Sequence, residues 1–199
     1  SAKVSVTTPI KNKVVNQVAN VNHSGFSIPN IFRNKLEEAT IEYWINPSSL
    51  SNWNQSAGPG WGQFMFHANA NGSFTVGWDP NGNRIETTGG KLRTGQWNHV
   101  AITVKKNVMT LYINGTNNGK LTSERYSGIG GFGNLTWRSN GSHDDSHAKY
   151  DEIRIWNYAR TAEQIKANKD VQYGGSLMPQ GLIANYKGEV MTIDGKKYL

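Results

Sequence analysis

Two neighbouring runs at the centre of the chain constrain its fold more than any other feature. In residues 97–104, Val100, Ile102 and Val104 alternate with Ala101 and Thr103; in residues 108–114, Met109, Leu111 and Ile113 do the same. A period of two places each set on one face of an extended strand. Each such side chain, once fully buried, contributes about 1.5–3 kcal/mol. The Asn114-Gly115 step that ends the second run suits a tight turn with positive φ at both positions. These runs predict antiparallel strands with one face on a core.

Shorter runs elsewhere repeat the pattern between Gly, Asn, Ser and Pro. Strands are expected over 25–28, closed by Pro29, and over 40–46, closed by Pro47. In the latter, Ile41, Tyr43 and Ile45 share one face and Glu42 and Trp44 the other. Runs 63–68 and 73–78 read as neighbours joined at Asn71-Gly72, and Asn81-Gly82 marks a turn before 84–88. Further strands are expected over 135–138, 149–156 and 182–187. Thr161 and Gln164 fit a capping box that opens one short helix over about 162–168. Residues 171–180 read as a linker. Many strands with one helix predict an all-β, two-sheet antiparallel sandwich. At 199 residues, one domain over 1–199 is expected, long enough to bury roughly 70% of its unfolded surface.

Composition narrows the chemistry. The chain has no cysteine, which excludes a disulfide framework, a cysteine zinc site and a thiol nucleophile. Export is compatible with that absence, since a domain of this size does not need disulfides. The net charge of +7 raises nucleic acid as a partner, but the basic residues are scattered and Lys105-Lys106 and Lys196-Lys197 are only pairs. No basic helix or long cluster focuses a field, so nucleic-acid binding is not expected; attraction to acidic glycans is a weaker use of the same charge. No apolar run approaches the roughly 20 residues of a membrane helix. The start at Ser1-Ala2-Lys3 reads as a chain whose export signal or preceding domain has been removed.

Three motifs carry a family resemblance: Trp97-Asn98-His99-Val100-Ala101, then Leu111-Tyr112-Ile113-Asn114-Gly115, then Asp151-Glu152-Ile153-Arg154-Ile155-Trp156-Asn157. In this order, with residues 40–47 around Trp44 as an earlier strand, they resemble laminin G-like domains of the concanavalin A-like lectin/glucanase superfamily over about 25–190. The C-terminal segment Gly181-Leu182-Ile183-Ala184-Asn185-Tyr186-Lys187 starts as that family's does and then departs from it. The resemblance implies a jelly-roll sandwich of the bacterial surface type, secreted or displayed on the cell, alongside other domains of a larger surface protein. It also implies that Trp44, Trp97 and Trp156 are core residues and that His99 makes a structural hydrogen bond.

Candidate sites follow from what the strands leave over. The loop 48–62 carries Trp53 and Trp61 among Asn, Ser, Gly and Pro. An indole there can stack on a sugar ring while Asn54 and Gln55 take hydroxyls. Trp78-Asp79, at a strand end, and Trp137-Arg138, beside the polar loop 139–147, are placed to do the same. That loop also holds His143, Asp144 and Asp145. The two aspartates, with Asp151 as a separate candidate, are the expected ligands of a calcium ion, which takes several oxygens. His143 and His147 align for a transition metal only on a helix. The glucanase relatives carry a Glu-x-Asp-x-(x)-Glu strand whose alternate carboxylates share a face. No such run exists here, and the adjacent Asp151 and Glu152 are expected on opposite faces. The only carboxylates to check for hydrolysis are Asp79, Glu86, Asp144 and Asp145. The expected function is a non-catalytic extracellular module that binds a glycan or polysaccharide. An adhesion domain contacting proteins, or a divergent glycoside hydrolase, are the alternatives.

Overall fold

A computed structural model describes residues 19–21, 26–52, 54–58, 63–137, 148–173, 178–186, 191–193 and 196–198. Its strands are β1 (Ala19–Val21), β2 (Phe26–Ile28), β3 (Glu38–Pro47), β4 (Asn54–Gly58), β5 (Phe64–Ala68), β6 (Phe74–Trp78), β7 (Ile85–Gly89), β8 (Asn98–Lys105), β9 (Val108–Ile113), β10 (Thr116–Thr122), β11 (Leu135–Trp137), β12 (Ala148–Trp156) and β13 (Leu182–Tyr186). The helix α1 is Ala162–Asn168, and β14 (Met191–Ile193) and β15 (Lys196–Tyr198) form a separate ribbon. The first sheet runs β1-β12-β3-β8-β9-β10, with β13 also paired to β12; the second runs β2-β11-β4-β5-β6-β7. Every pairing is antiparallel, which establishes the two-sheet sandwich. At one edge β7 approaches β10 so closely that a Cβ on Gly89 would stand 1.8 Å from the Asn118 carbonyl oxygen.

Alternation fills the core as expected. Ile41, Tyr43 and Ile45 of β3, Val100, Ile102 and Val104 of β8, and Met109, Leu111 and Ile113 of β9 are buried in one cluster. The second sheet supplies Phe64, Phe66, Phe74, Val76, Trp78 and Trp137. Trp137 is 0% exposed and meets Tyr43 edge-on at 5.7 Å and Phe66 at 5.8 Å, joining the sheets. The turn after β9 has φ of 52° at Asn114 and 79° at Gly115, the left-handed values its sequence demands.

The first sheet is also covered on its outer face. A β-bulge in β12 makes this possible: Asp151 pairs with Trp44 and Arg154 with Glu42, so β12 carries one extra residue between them. Glu152 sits at the bulge with φ of 50°. Tyr150 and Ile153 both face the core, and the Glu152 carboxylate lies on the outer side, 3.0 Å from Arg154 Nη2. The expectation that Asp151 and Glu152 point to opposite faces is therefore corrected. Strict alternation fails where the strand bulges.

On that outer face Arg154 joins two buried carboxylates. Its Nη1 lies 3.5 Å from Glu42 Oε1, and Arg160 Nη1 lies 3.4 Å from Glu42 Oε2. Glu42 is 0% exposed and Arg154 1%. Arg154 also donates to the carbonyls of Asn168 and Val171, and its guanidinium stacks 4.5 Å from the Tyr173 ring centroid. Arg160 stacks 4.0 Å from the Trp156 ring. Two arginines thus balance two glutamates while pinning the segment 157–173 across the sheet. Part of the stretch expected as a linker is anchored here, with Tyr173 buried against Trp156.

The helix sits on the same face. Gln164 N–H donates to Thr161 Oγ1 and Thr161 N–H to Gln164 Oε1, closing the expected capping box. Seven residues are too few for a stable isolated helix; Ile165, buried against Ala101 and Tyr112, docks it. Trp44 is only half-buried, and its indole N–H donates to the Lys169 carbonyl at 2.9 Å. Trp44 and Trp156 therefore serve this outer layer, not the central core, and Trp97 is half-buried just ahead of β8.

Breaking a buried ion pair by removing one partner costs about 3–5 kcal/mol, because the other charge stays buried. Arg154→Met is expected to lower unfolding stability by that amount in denaturant titration, and a loss below about 1 kcal/mol would contradict the network's role. His99 lies edge-on to Trp44 at 5.2 Å. Burial first, and then the positive charges of Arg154, Lys169 and Arg160, hold its imidazole well below the usual value of 6.5. Unfolded His99 therefore takes up a proton below pH 6.5 that the folded protein refuses, so stability falls as pH drops through that value. His99→Asn is expected to remove a dependence of up to about 1.4 kcal/mol per pH unit, read as melting temperature against pH; an unchanged slope would refute this.

Candidate functional site

With the outer face of the first sheet covered, the outer face of the second is where polar side chains gather. Core-facing Phe64, Phe66 and Ala68 leave Met65 and His67 on the other side of β5; Phe74, Val76 and Trp78 leave Thr75 and Gly77 on that of β6. Register aligns them in cross-strand rows: His67, Thr75 and Thr88 form one, Met65, Gly77 and Glu86 the next. The first row, with Glu86 of the second, floors an open groove of about 440 Å³ bordered by Asn52 and the 69–73 turn. Gly77 lies tight against β7, where a Cβ would stand 2.2 Å from the Ile85 carbonyl oxygen.

A hydrogen-bonded ladder fixes the groove. The Asn69 amide nitrogen donates to Ser73 Oγ at 3.1 Å and Thr75 Oγ1 at 3.0 Å. Thr75 Oγ1 and Thr88 Oγ1 lie 2.7 Å apart. Asn71 Oδ1 accepts from the backbone N–H and hydroxyl of Ser73, and Asn52 Oδ1 accepts from Ala70 N–H at 3.1 Å. Glu86 is exposed, with Arg84 Nη1 3.7 Å away. A second depression of about 410 Å³ continues over the turn and carries Lys91 and Arg93. Amides, hydroxyls and one carboxylate held by their neighbours can exchange several hydrogen bonds with a polyhydroxyl ligand without first being ordered.

The sequence-derived candidates fare unevenly. Trp53, Trp61, Arg138, His143, Asp144 and Asp145 lie outside the described residues. Asn54 is not in a loop; it begins β4 and pairs with Ala68, beside the groove strand β5. Trp78 and Trp137 are core residues at 4% and 0% exposure and are not surface stacking platforms. Each is in phase with the apolar residues of its own strand. Asp79 is held by Arg84 Nη2 at 2.8 Å and Nε at 3.1 Å. Asp151 is 2% exposed, and its Oδ1 accepts the Glu152 N–H at 2.8 Å. A carboxylate so enclosed is a poor fit for a rim calcium ion, and among the described residues no three His, Asp or Glu side chains cluster as metal ligands. Glu42 and Glu152, which sequence reading passed over, share Arg154 but are sealed from solvent. Asn69, Thr75 and Thr88 were also missed; their signal is a polar residue out of phase with each strand's apolar stripe. His67 lines the groove with its Nδ1 3.2 Å from the Ala68 carbonyl oxygen.

Comparison with known folds agrees with this architecture. A protein of Bacteroides ovatus, to which carbohydrate binding is provisionally ascribed, aligns with a TM-score of 0.70 at 19% identity over 92% of this chain and 55% of its own. This chain thus spans little more than half of that protein. Domain 4 of the extracellular arabinanase AbnA from Geobacillus stearothermophilus, solved with arabinotriose, aligns at 0.62 and 18% over 84% of this chain and 81% of that domain. A pentraxin from Limulus polyphemus aligns at 0.54 and 16%, covering 83% and 82%. Among curated proteins none matches in sequence. A laminin G-type family model described as concanavalin A-like lectin/glucanases superfamily matches residues 20–166. With that match over most of its length, on a sandwich whose strands carry the three motifs in order, the chain belongs to the concanavalin A-like lectin/glucanases superfamily.

Proposed function

We propose that this chain is a non-catalytic, extracellular carbohydrate-binding module and that the groove on β5, β6 and β7 is its binding surface. The observation that carries the reading is the ladder Asn71–Ser73–Asn69–Thr75–Thr88, which pre-positions amides and hydroxyls along an open groove. An open, polar trough suits an extended glycan chain better than a small apolar ligand. Structural likeness to the arabinotriose-bound domain supports the same class of ligand. The alternative of a protein-contact surface predicts a contiguous exposed apolar patch. Among the described residues only Met178 and Ile183 are large, apolar and exposed, and neither lines the groove. Trp53 directly follows the groove residue Asn52 in sequence and is the aromatic we assign to sugar stacking. A calcium ion would be held by the carboxylates of Asp144 and Asp145.

The test is a screen against neutral and acidic polysaccharides, with calcium and with chelator. Glu86→Ala removes a charged acceptor, for which hydrogen bonds contribute about 1.5–3 kcal/mol, so affinity for the best ligand is expected to fall about tenfold or more. Trp53→Ala is expected to weaken the same ligand. A blank across the panel, or a hit that survives Glu86→Ala at full affinity, would sink the proposal. Chelator sensitivity would bring calcium into the site.

A further inference from the structure

At the opposite end of the β5–β6 hairpin lies a third, more enclosed cavity of about 270 Å³. Asn69 in the groove is six residues on from Gln63 at its mouth, about 20 Å of extended chain. Its character differs. The floor is Phe64 and Trp78, and the Trp78 indole N–H is fixed by the Gly128 carbonyl at 2.9 Å. Tyr126 and Phe132 form the walls. The Tyr126 hydroxyl donates to the Asn83 carbonyl at 2.8 Å, and Phe132 packs edge-on against Phe32 at 5.7 Å.

Two cations stand at the mouth. Lys35 Nζ donates to Ser127 Oγ at 3.2 Å and lies 3.6 Å from Glu37, a pair half-open to water. Arg125 is exposed, its guanidinium 5.7 Å from the Tyr126 ring centroid, and among the described residues it pairs with no carboxylate. No described residue lining the cavity is acidic.

We infer that this cavity is a second binding site, taking a sugar ring that carries a carboxylate. Its volume is at the lower limit of small-molecule sites, the scale of one ring. The fixed aromatic walls receive the apolar face of that ring, and Gln63 and Ser127 are placed for its hydroxyls. Arg125 offers paired N–H donors to a carboxylate, and Lys35 adds a point charge. A bare anion would meet the cations but leave the aromatic walls unfilled; a neutral sugar would fill the walls and leave Arg125 unanswered. This inference rests on the carbohydrate reading above but uses a different surface.

The experiment is calorimetric titration of the protein with methyl glucuronide, methyl glucoside, acetate and inorganic phosphate. The uronide is expected to bind at least about tenfold more tightly than each of the others. Its affinity is expected to fall as salt rises from about 0.05 to about 0.5 M. Arg125→Gln and Lys35→Gln, both at exposed positions, should each weaken it about tenfold. Equal affinity for the glucoside would show that the charge is not read; equal affinity for acetate or phosphate would show that the ring is not. Either result overturns the inference, as does an absence of uronide binding or binding indifferent to Arg125→Gln. Repeating the titration with Glu86→Ala separates the two surfaces. Uronide binding that persists there and fails in Arg125→Gln belongs to the cavity, whereas a polysaccharide bound only through Glu86 leaves the groove standing and the cavity refuted.

Discussion

The enclosure of Arg154 between Glu42 and Glu152 organises more of this molecule than any apolar contact. A sandwich can leave one face of each sheet in water, and polar side chains usually mark it. Here the outer face of the first sheet carries charges, yet those charges are buried. They tolerate burial because the two glutamates face two arginines, and because Arg154 spends further donors on the Asn168 and Val171 carbonyls. Those carbonyls belong to the segment that covers the sheet, so the covering layer and the ion pairs require each other. The bulge at Glu152 belongs to the same arrangement. Without the extra residue, that carboxylate would point into an apolar core.

The consequence is an asymmetry between the two sheets. The first is committed on both faces, to the core and to α1 with its flanking chain. The second, among the described residues, leaves part of its outer face open over β5, β6 and β7. Its outer face keeps Asn69, Glu86 and Thr88 where a ligand can reach them, with the buried Thr75 linking Asn69 to Thr88, while Trp137 and the phenylalanines beneath hold the strands in place. A site on such a platform is more rigid than one built on loops alone.

Much of the fold was legible because its strands obey a simple period. The stripes in β3, β8 and β9, the Asn114-Gly115 turn and the Thr161 capping box each have one strong local solution. β4 and β10 were not visible, since Asn54–Gly58 and Thr116–Thr122 are small or polar and display no stripe. Pairing with a neighbour makes them strands, and pairing is not local. Trp78 and Trp137 misled for the opposite reason. Their place beside turns suggested exposure, while their phase with Phe74, Val76 and Leu135 already set them in the core. The Asp151-Glu152 pair shows the limit of alternation itself, for one inserted residue reverses the assignment of every polar side chain beyond it. The groove was half visible. Its residues stand out of phase in three separate strands, and only the register of β5, β6 and β7 brings them into rows.

That register also bears on what the platform can distinguish. The groove presents mostly neutral donors and acceptors at the spacing of a sheet, about 4.8 Å between strands and nearly 7 Å between same-face residues of one strand. A ligand that repeats its hydroxyls along a chain can engage such a lattice in several registers, which favours avidity over sharp discrimination. The cavity at the other end of the hairpin is lined by rings and carries Arg125 and Lys35 at its mouth, so a ring bound there would have few orientations. One hairpin thus joins an open polar groove to a ring-lined cavity. The charge of +7, scattered along the sequence, acquires a direction where the fold places Arg125 and Lys35 at the mouth of a ring-lined cavity.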